Sequence, residues 1–200
     1  MRFSLWVFLW ASAASATTLV ALDLPALTRS SDAVVHGKVI KVESRWAGDH
    51  KRIVTDVEIE VADQVKGPAA KTVHLINPGG AVGDVGQLVH GTPTFEPSEE
   101  VVVFLERRPN DTFLVTGMSQ GKFRVERSTD GRAAFAVPQG EPDAMLIDPS
   151  TRQKTSPRTQ TMKLDELKAR VRQLSLPAPT DEPTTPPGPG KPGELGEKVR

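Results

Sequence analysis

The sequence predicts a mainly β protein: a small barrel or sandwich of short antiparallel strands, with a C-terminal amphipathic helix and a disordered Pro-rich tail. Three observations predict it. In "RIVTDVEIEVADQV", Ile53, Thr55, Val57, Ile59 and Val61 alternate with Val54, Asp56, Glu58 and Glu60, the period-two pattern of a strand with one buried and one wet face. Further short β-rich runs follow, separated by Gly, Pro and Asp-Gly turns, with no long crossover helix; this excludes a doubly wound α/β fold. Finally, "TMKLDELKARVRQL" carries Leu164, Leu167, Val171 and Leu174 at helical spacing, and "PAPTDEPTTPPGPGKPGELGEKVR" follows it.

Taken in order, "MRFSLWVFLWASAASA" has a positive charge at Arg2, an apolar run, and small residues ending in Ala14-Ser15-Ala16. This predicts a secretory signal peptide over 1–16, cleaved before Thr17. A membrane anchor is the competing reading, but the run falls short of the ~20 residues a span requires. No cysteine is present for lipid attachment, so the expectation is an exported protein, periplasmic or extracellular, without a transmembrane segment.

In "LDLPALTRSSD", Asp23 is a candidate cap and Pro25 lies in the first turn of a short helix or turn. "AVVHGKVIKVESRW" is β-rich, but Val35, Gly37 and Val39 share one phase while Ile40 and Val42 take the other. A phase change beside a glycine predicts a bulge or bend. With "RIVTDVEIEVADQV" it forms an antiparallel hairpin, Lys41 facing Asp56 if the turn centres near Gly48-Asp49. Strands are expected at "TVHLI", "EVVVFLE", "TFLVTG" and "GKFRVERS", the last turning through Asp130-Gly131 into "RAAFAV". Val101 to Leu105 lacks polar alternation and belongs in the most buried part of the sheet. The domain reading is therefore a barrel over 17–150, a linker and docked helix over 151–175, and a disordered tail over 176–200.

Composition narrows the function. Twenty-five basic residues balance twenty-five acidic ones, so the whole chain has no net field for nucleic acid or an anionic membrane. Tyrosine is absent and aromatics are few, which argues against a stacking platform. Cysteine is absent too, so the fold must hold by packing without disulfides.

The stretch Gly117-Met118-Ser119-Gln120-Gly121 fits the G-x-S-x-G pattern of a nucleophile elbow. That elbow needs a helix after the serine and a histidine later in the chain. Here strand-like "KFRVER" follows, and all four histidines, His36, His50, His74 and His90, precede Ser119. The segment therefore reads as a glycine-bounded turn. "NPGGAVGDVGQLVHGTPTF" lacks the Lys-Ser/Thr of a phosphate-binding loop and no helix follows it. As a long loop in a compact domain it is the candidate binding segment, with Asn77, Gly79, Gly80, Gly83, Asp84, Gly86 and His90 as candidate ligand contacts.

Asp56, Glu58 and Glu60 share a strand face, but side chains two apart lie ~6.5 Å from each other, too far to share one ion unaided. They read as a solvated face paired with Lys38 or Lys41. The scattered histidines lack zinc-ligand spacing, so no metal and no cofactor is expected. Lys163, Lys168, Arg170 and Arg172 make the helix basic, either as its wet face or as an attachment to anionic envelope polymer.

Joined together, "SDAVVHGKVIKVESRW", "RIVTDVEIEVADQVKG", "NPGGAVGDVGQLVHGTPTF", "EEVVVFLE" and "QGKFRV" resemble an uncharacterised family of exported bacterial β-rich proteins. That family implies no activity. More distantly, "AVVHGKV", "TDVEIEVADQVKG" and "EEVVVFL" look like the netrin-like, metalloproteinase-inhibitor type of OB barrel. This resemblance implies an OB-like barrel; the cysteine by which some such proteins block a protease metal is missing here. The expected function is an exported, non-catalytic binding or interaction module for an unknown protein or envelope component. An envelope-associated structural protein is the alternative, and a hydrolase using Ser119 the third reading.

Overall fold

The computed structural model describes residues 17–140 and 144–177. The predicted signal peptide and the expected tail beyond Pro177 lie outside the described residues. In chain order the elements are β1 (Thr17–Val20), α1 (Leu24–Ser30), β2 (Ala33–Trp46), β3 (Ile53–Lys66), β4 (Thr72–Pro78), β5 (Gly80–Val82) and β6 (Val85–Gln87). They continue with β7 (Glu100–Arg107), β8 (Phe113–Val115), β9 (Lys122–Arg127), β10 (Ala134–Pro138), β11 (Ala144–Ile147), β12 (Met162–Lys163) and α2 (Leu164–Ser175).

Strands β7, β2, β3, β4 and β8 close on themselves as a barrel, because β8 bonds both β4 and β7. The barrel is mixed, whereas antiparallel strands alone were expected: β4 and β8 pair in parallel, at Leu75 and Phe113. Strand direction cannot alternate all the way round a closed ring of five, so one pair must run parallel. From β7 the sheet continues outside the barrel through β9, β10 and β12.

Strands β2 and β3 have 14 residues each, β2 spanning "AVVHGKVIKVESRW" and β3 lying one residue on from "RIVTDVEIEVADQV". They curl through register shifts at Val34/Val35, His36/Gly37 and Val39/Lys41, where the phase change predicted a bulge. At Gly37 a Cβ would lie 2.2 Å from the Glu60 carbonyl oxygen, so only glycine lets the two backbones approach. Trp46 pairs with Ile53, which centres the hairpin turn one residue later than expected. Lys41 therefore faces Glu58, and Glu43 faces Asp56.

The core has two compartments, one on each face of β7. Val101, Val103 and Leu105 point into the barrel with Val35, Val57, Ile59 and Leu75. Val102 and Phe104 point the other way, beneath the helices, with Leu24, Leu27, Phe123, Leu167 and Val171. A strand buried on both faces has no reason to alternate, which accounts for the unbroken apolar run in "EVVVFLE".

Asp23 caps α1 by accepting from the Ala26 N–H at 2.8 Å, with Pro25 in the first turn. Helix α2 docks through Leu164, Leu167 and Val171, whereas Leu174, expected in the same stripe, is 39% exposed in the last turn. Its basic side chains are engaged locally: Lys168 and Arg172 reach Asp63 on β3 at 3.0 and 2.7 Å, and Arg170 reaches Glu166 at 2.6 Å. Burial pushes the Asp63 carboxyl up, but hydrogen bonds and charge from Lys168 and Arg172 outweigh it and hold it below the usual aspartate range. No helix among the described residues is long and apolar enough to cross a membrane.

Candidate functional site

The glycine-rich segment is not the open loop that the sequence suggested. Residues 80–87 fold into a β5–β6 hairpin in which Val82 pairs with Val85 across Gly83 and Asp84, with Gly83 at φ +59°. Its stem is fastened to the barrel at several points. The Gly79 N–H donates to the Ile53 carbonyl at 3.0 Å, and Ile53 N–H donates to Gln87 Oε1 at 2.6 Å. Thr55, a polar residue in the buried phase of β3, donates through Oγ1 to the Gly79 carbonyl at 2.8 Å and meets Ser44 Oγ at 2.9 Å.

Gly80 sits directly on those two hydroxyls. A Cβ there would lie 2.3 Å from Ser44 Oγ and 2.5 Å from Thr55 Oγ1, and its φ of +132° is a backbone that side chains resist. The hairpin therefore lies against the barrel as closely as it does because residue 80 has no side chain.

Between hairpin, barrel and the following segment is a cavity of about 500 Å³. Val42, Ser44 and Thr55 line it from the barrel, Gln87, Leu88 and Phe95 from the hairpin side. Among the described residues, its lining contains no charged side chain. Leu88 stands at it 79% exposed, and Val85 is also exposed on the hairpin.

The far side of this segment is clamped by a buried ion pair. Lys122 on β9 reaches Glu99 at 2.8 Å, donates to the Thr94 carbonyl, and lies 4.5 Å from the Phe95 ring centroid. Arg124 joins Glu99 at 3.0 Å. Burial pushes the Lys122 ammonium below the usual lysine range, with Glu99 opposing the shift.

Of the candidate contacts, Asn77, Gly79, Gly80 and Gly86 line the cavity. Asn77 Nδ2 also donates to the Pro93 carbonyl at 2.8 Å, fixing the two ends of the segment together. Gly83 and Asp84 form the exposed hairpin tip, away from the cavity lining, and His90 lies in the turn closed by Thr92 N–H on the Val89 carbonyl. Sequence reasoning missed Ser44, Thr55, Gln87, Leu88 and Phe95 as cavity residues. Thr55 alone left a signal, a hydroxyl among the inward aliphatic side chains of β3.

The Gly117–Gly121 stretch forms a 3-10 turn over Met118–Gly121, leading from β8 to β9 rather than from a strand to an α-helix. Ser119 N–H donates to the Gly91 carbonyl at 2.8 Å. Gln120 Oε1 accepts from Leu22 N–H at 2.9 Å, while its Nε2 donates to the Val20 carbonyl at 3.0 Å. The turn thus joins the glycine-rich segment and the N-terminal strand to the sheet. The acidic face of β3 is paired as a wet face: Asp56 with Arg45, and Glu58 with Lys41 at 3.7 Å. No cluster of three or more metal-ligating side chains occurs among the described residues.

Comparison of the chain with protein-family models, curated proteins and solved structures finds no match.

Proposed function

We propose that this chain is an exported, non-catalytic binding module on an OB-like barrel, taking its ligand in the cavity beneath the glycine hairpin. The observation that carries the reading is the cavity itself: about 500 Å³, uncharged, and bounded by a hairpin anchored to the barrel through Thr55 and Gln87. That volume falls within the ~300–1,000 Å³ usual for ligand sites. The neutral lining with Leu88 at its edge suits an uncharged, partly apolar ligand or peptide segment.

Strand order supports the OB-like character. Taking β2, β3, β4, β7 and β8 as first to fifth, the first strand pairs with the second and fourth, and the third runs parallel to the fifth. An OB barrel has this Greek-key order, and the face of its second and third strands receives ligand. Here those strands contribute Thr55 and Asn77 to the cavity. The "MRFSLWVFLWASAASA" leader pattern supports export.

The alternative, an envelope-associated structural protein, rests on the Pro-rich composition after Leu176 and a basic helix. Its second support is weakened, since Lys168 and Arg172 are occupied by Asp63 and Arg170 by Glu166.

The test is affinity capture from envelope and culture fluid of the producing cells, with the wild-type chain beside Leu88→Asp. A partner recovered by the first and lost by the second, with equal thermal midpoints, supports the cavity as the recognition site. Equal recovery by both places binding elsewhere. Reproducible turnover of any substrate, abolished by one barrel substitution, would overturn the non-catalytic reading.

A further inference from the structure

A second cavity, of about 660 Å³, lies between the β1–β11 pair, the Met118–Gly121 turn, the end of β10 and residues 154–161. It is separate from the glycine-hairpin cavity and shares no lining residue with it. Its walls are apolar at Leu19, Leu146, Pro138 and Pro157. Among the described residues, Lys154 is the one charged residue lining it, and no carboxylate does.

Two donors matter there, and a buried acceptor on the same lining, Gln139 Oε1, also has no partner among the described residues. Lys154 is held beside Ile147 by an isolated antiparallel bridge and makes no ion pair among the described residues. Its neighbour Arg158 is already taken by Asp148. Ser119 is only 2% exposed and lines the cavity, yet its hydroxyl makes no hydrogen bond among the described residues. A buried hydroxyl normally finds a partner, so this donor is open to whatever occupies the space. Gln120 contributes less, both its amide atoms being engaged by Leu22 and Val20.

We propose that this cavity binds a small amphiphile with one carboxylate, a monocarboxylic acid of the fatty-acid class. The apolar walls take the chain, the Lys154 ammonium takes the carboxylate, and Ser119 supplies a neutral hydrogen bond. The charge inventory selects the class. Among the described residues the lining has no acidic group to recognise a cationic head, and a phosphate dianion calls for more charged donors than one lysine. The volume lies within the ~300–1,000 Å³ range of ligand sites.

The experiment titrates the purified full chain with dansylaminoundecanoic acid, followed by fluorescence, and with dodecanoate and dodecanol by calorimetry. Saturable one-to-one binding is expected, dodecanoate binding about fivefold to tenfold more tightly than the alcohol. Lys154→Glu should abolish that preference, and Ser119→Ala should weaken both ligands by a smaller factor. Thr159→Trp, at the partly exposed rim, should block binding without moving the thermal midpoint, giving a variant independent of the buried Leu146. Absence of saturable binding, equal affinity of wild type and Lys154→Glu for dodecanoate, or undiminished binding by Thr159→Trp overturns the proposal. So does binding that emerges only when the chain is ended at Pro177, because the cavity would then belong to the chain's own terminal segment.

Discussion

Thr55 Oγ1 donates to the carbonyl oxygen of Gly79 at 2.8 Å, from inside the hydrophobic phase of a barrel strand. This bond couples barrel and hairpin: the hydroxyl that breaks the aliphatic pattern of β3 also holds the entrance of the glycine-rich segment. Thr55→Val keeps the shape and removes the donor, leaving the Gly79 carbonyl and Ser44 hydroxyl without it. Urea unfolding should show a loss of about 1–2 kcal/mol, with faster amide exchange at Gly79 and Gln87. Unchanged exchange at both would show that the bond does not anchor the hairpin.

Two glycines in this segment should respond differently to the same substitution. Gly80→Ala forces a methyl against Ser44 and Thr55 at a φ of +132°, whereas Gly83→Ala, at φ +59°, meets nothing within 4 Å. The first should cost about 2–3 kcal/mol and displace the hairpin, and the second about 1 kcal/mol with the hairpin in place. Urea midpoints and the amide shifts of Val82 and Val85 separate the two outcomes.

The Lys122–Glu99 pair should show strong coupling. Glu99→Gln leaves a lysine side chain that is 1% exposed with a carbonyl and a ring but no countercharge, while Lys122→Met leaves Glu99 still joined to Arg124. Each single change is expected to cost about 3–5 kcal/mol, Glu99→Gln the more, and the double change Lys122→Met with Glu99→Gln less than their sum. A double-mutant cycle by denaturant unfolding measures this. Additive losses would mean that the two groups act independently.

Asp63 makes α2 docking pH-dependent. Its carboxyl is held below the usual aspartate range in the folded chain, so the folded state retains the charge to lower pH than the unfolded state does. The stabilisation is fully present above the unfolded pKa of about 3.9 and disappears as pH falls through the lower folded value. Thermal midpoints of wild type and Asp63→Asn should therefore differ most above about pH 4 and converge below it. A constant gap across the acid range would assign the effect to lost packing rather than to the charge.

Local features of the fold were legible because their causes are local. Asp23 and Pro25 announce α1, the alternation from Ile53 to Ile59 announces β3, and Asp130-Gly131 lies in the connection between β9 and β10. The hairpin register was less legible: Lys41 faces Glu58 because the turn centres one residue later, and side-chain pattern alone fixes phase but not turn length. Leu174 has helical spacing but lies in the last turn, beyond the surface that α2 covers. At the candidate site, glycine content marked the segment that lines the cavity. Ser44, which comes from outside it, and Phe95, at its end, carry no mark of their own.

By itself, then, the sequence determined strands β2, β3, β4 and β7 to β10, the two helices, the glycine-rich segment and the double-sided burial of Val101 to Leu105, but not β1, β5, β6, β11 or β12. These follow from side-chain periodicity and backbone freedom, which each short stretch carries within it. Tertiary structure alone decided that β8 closes the barrel in parallel with β4, that Thr55 meets Gly79, and that Gln120 holds Leu22 from 98 residues away. Such contacts depend on where the chain returns in space. Many residue pairs could satisfy the same hydrogen bond, and only the packed whole selects one.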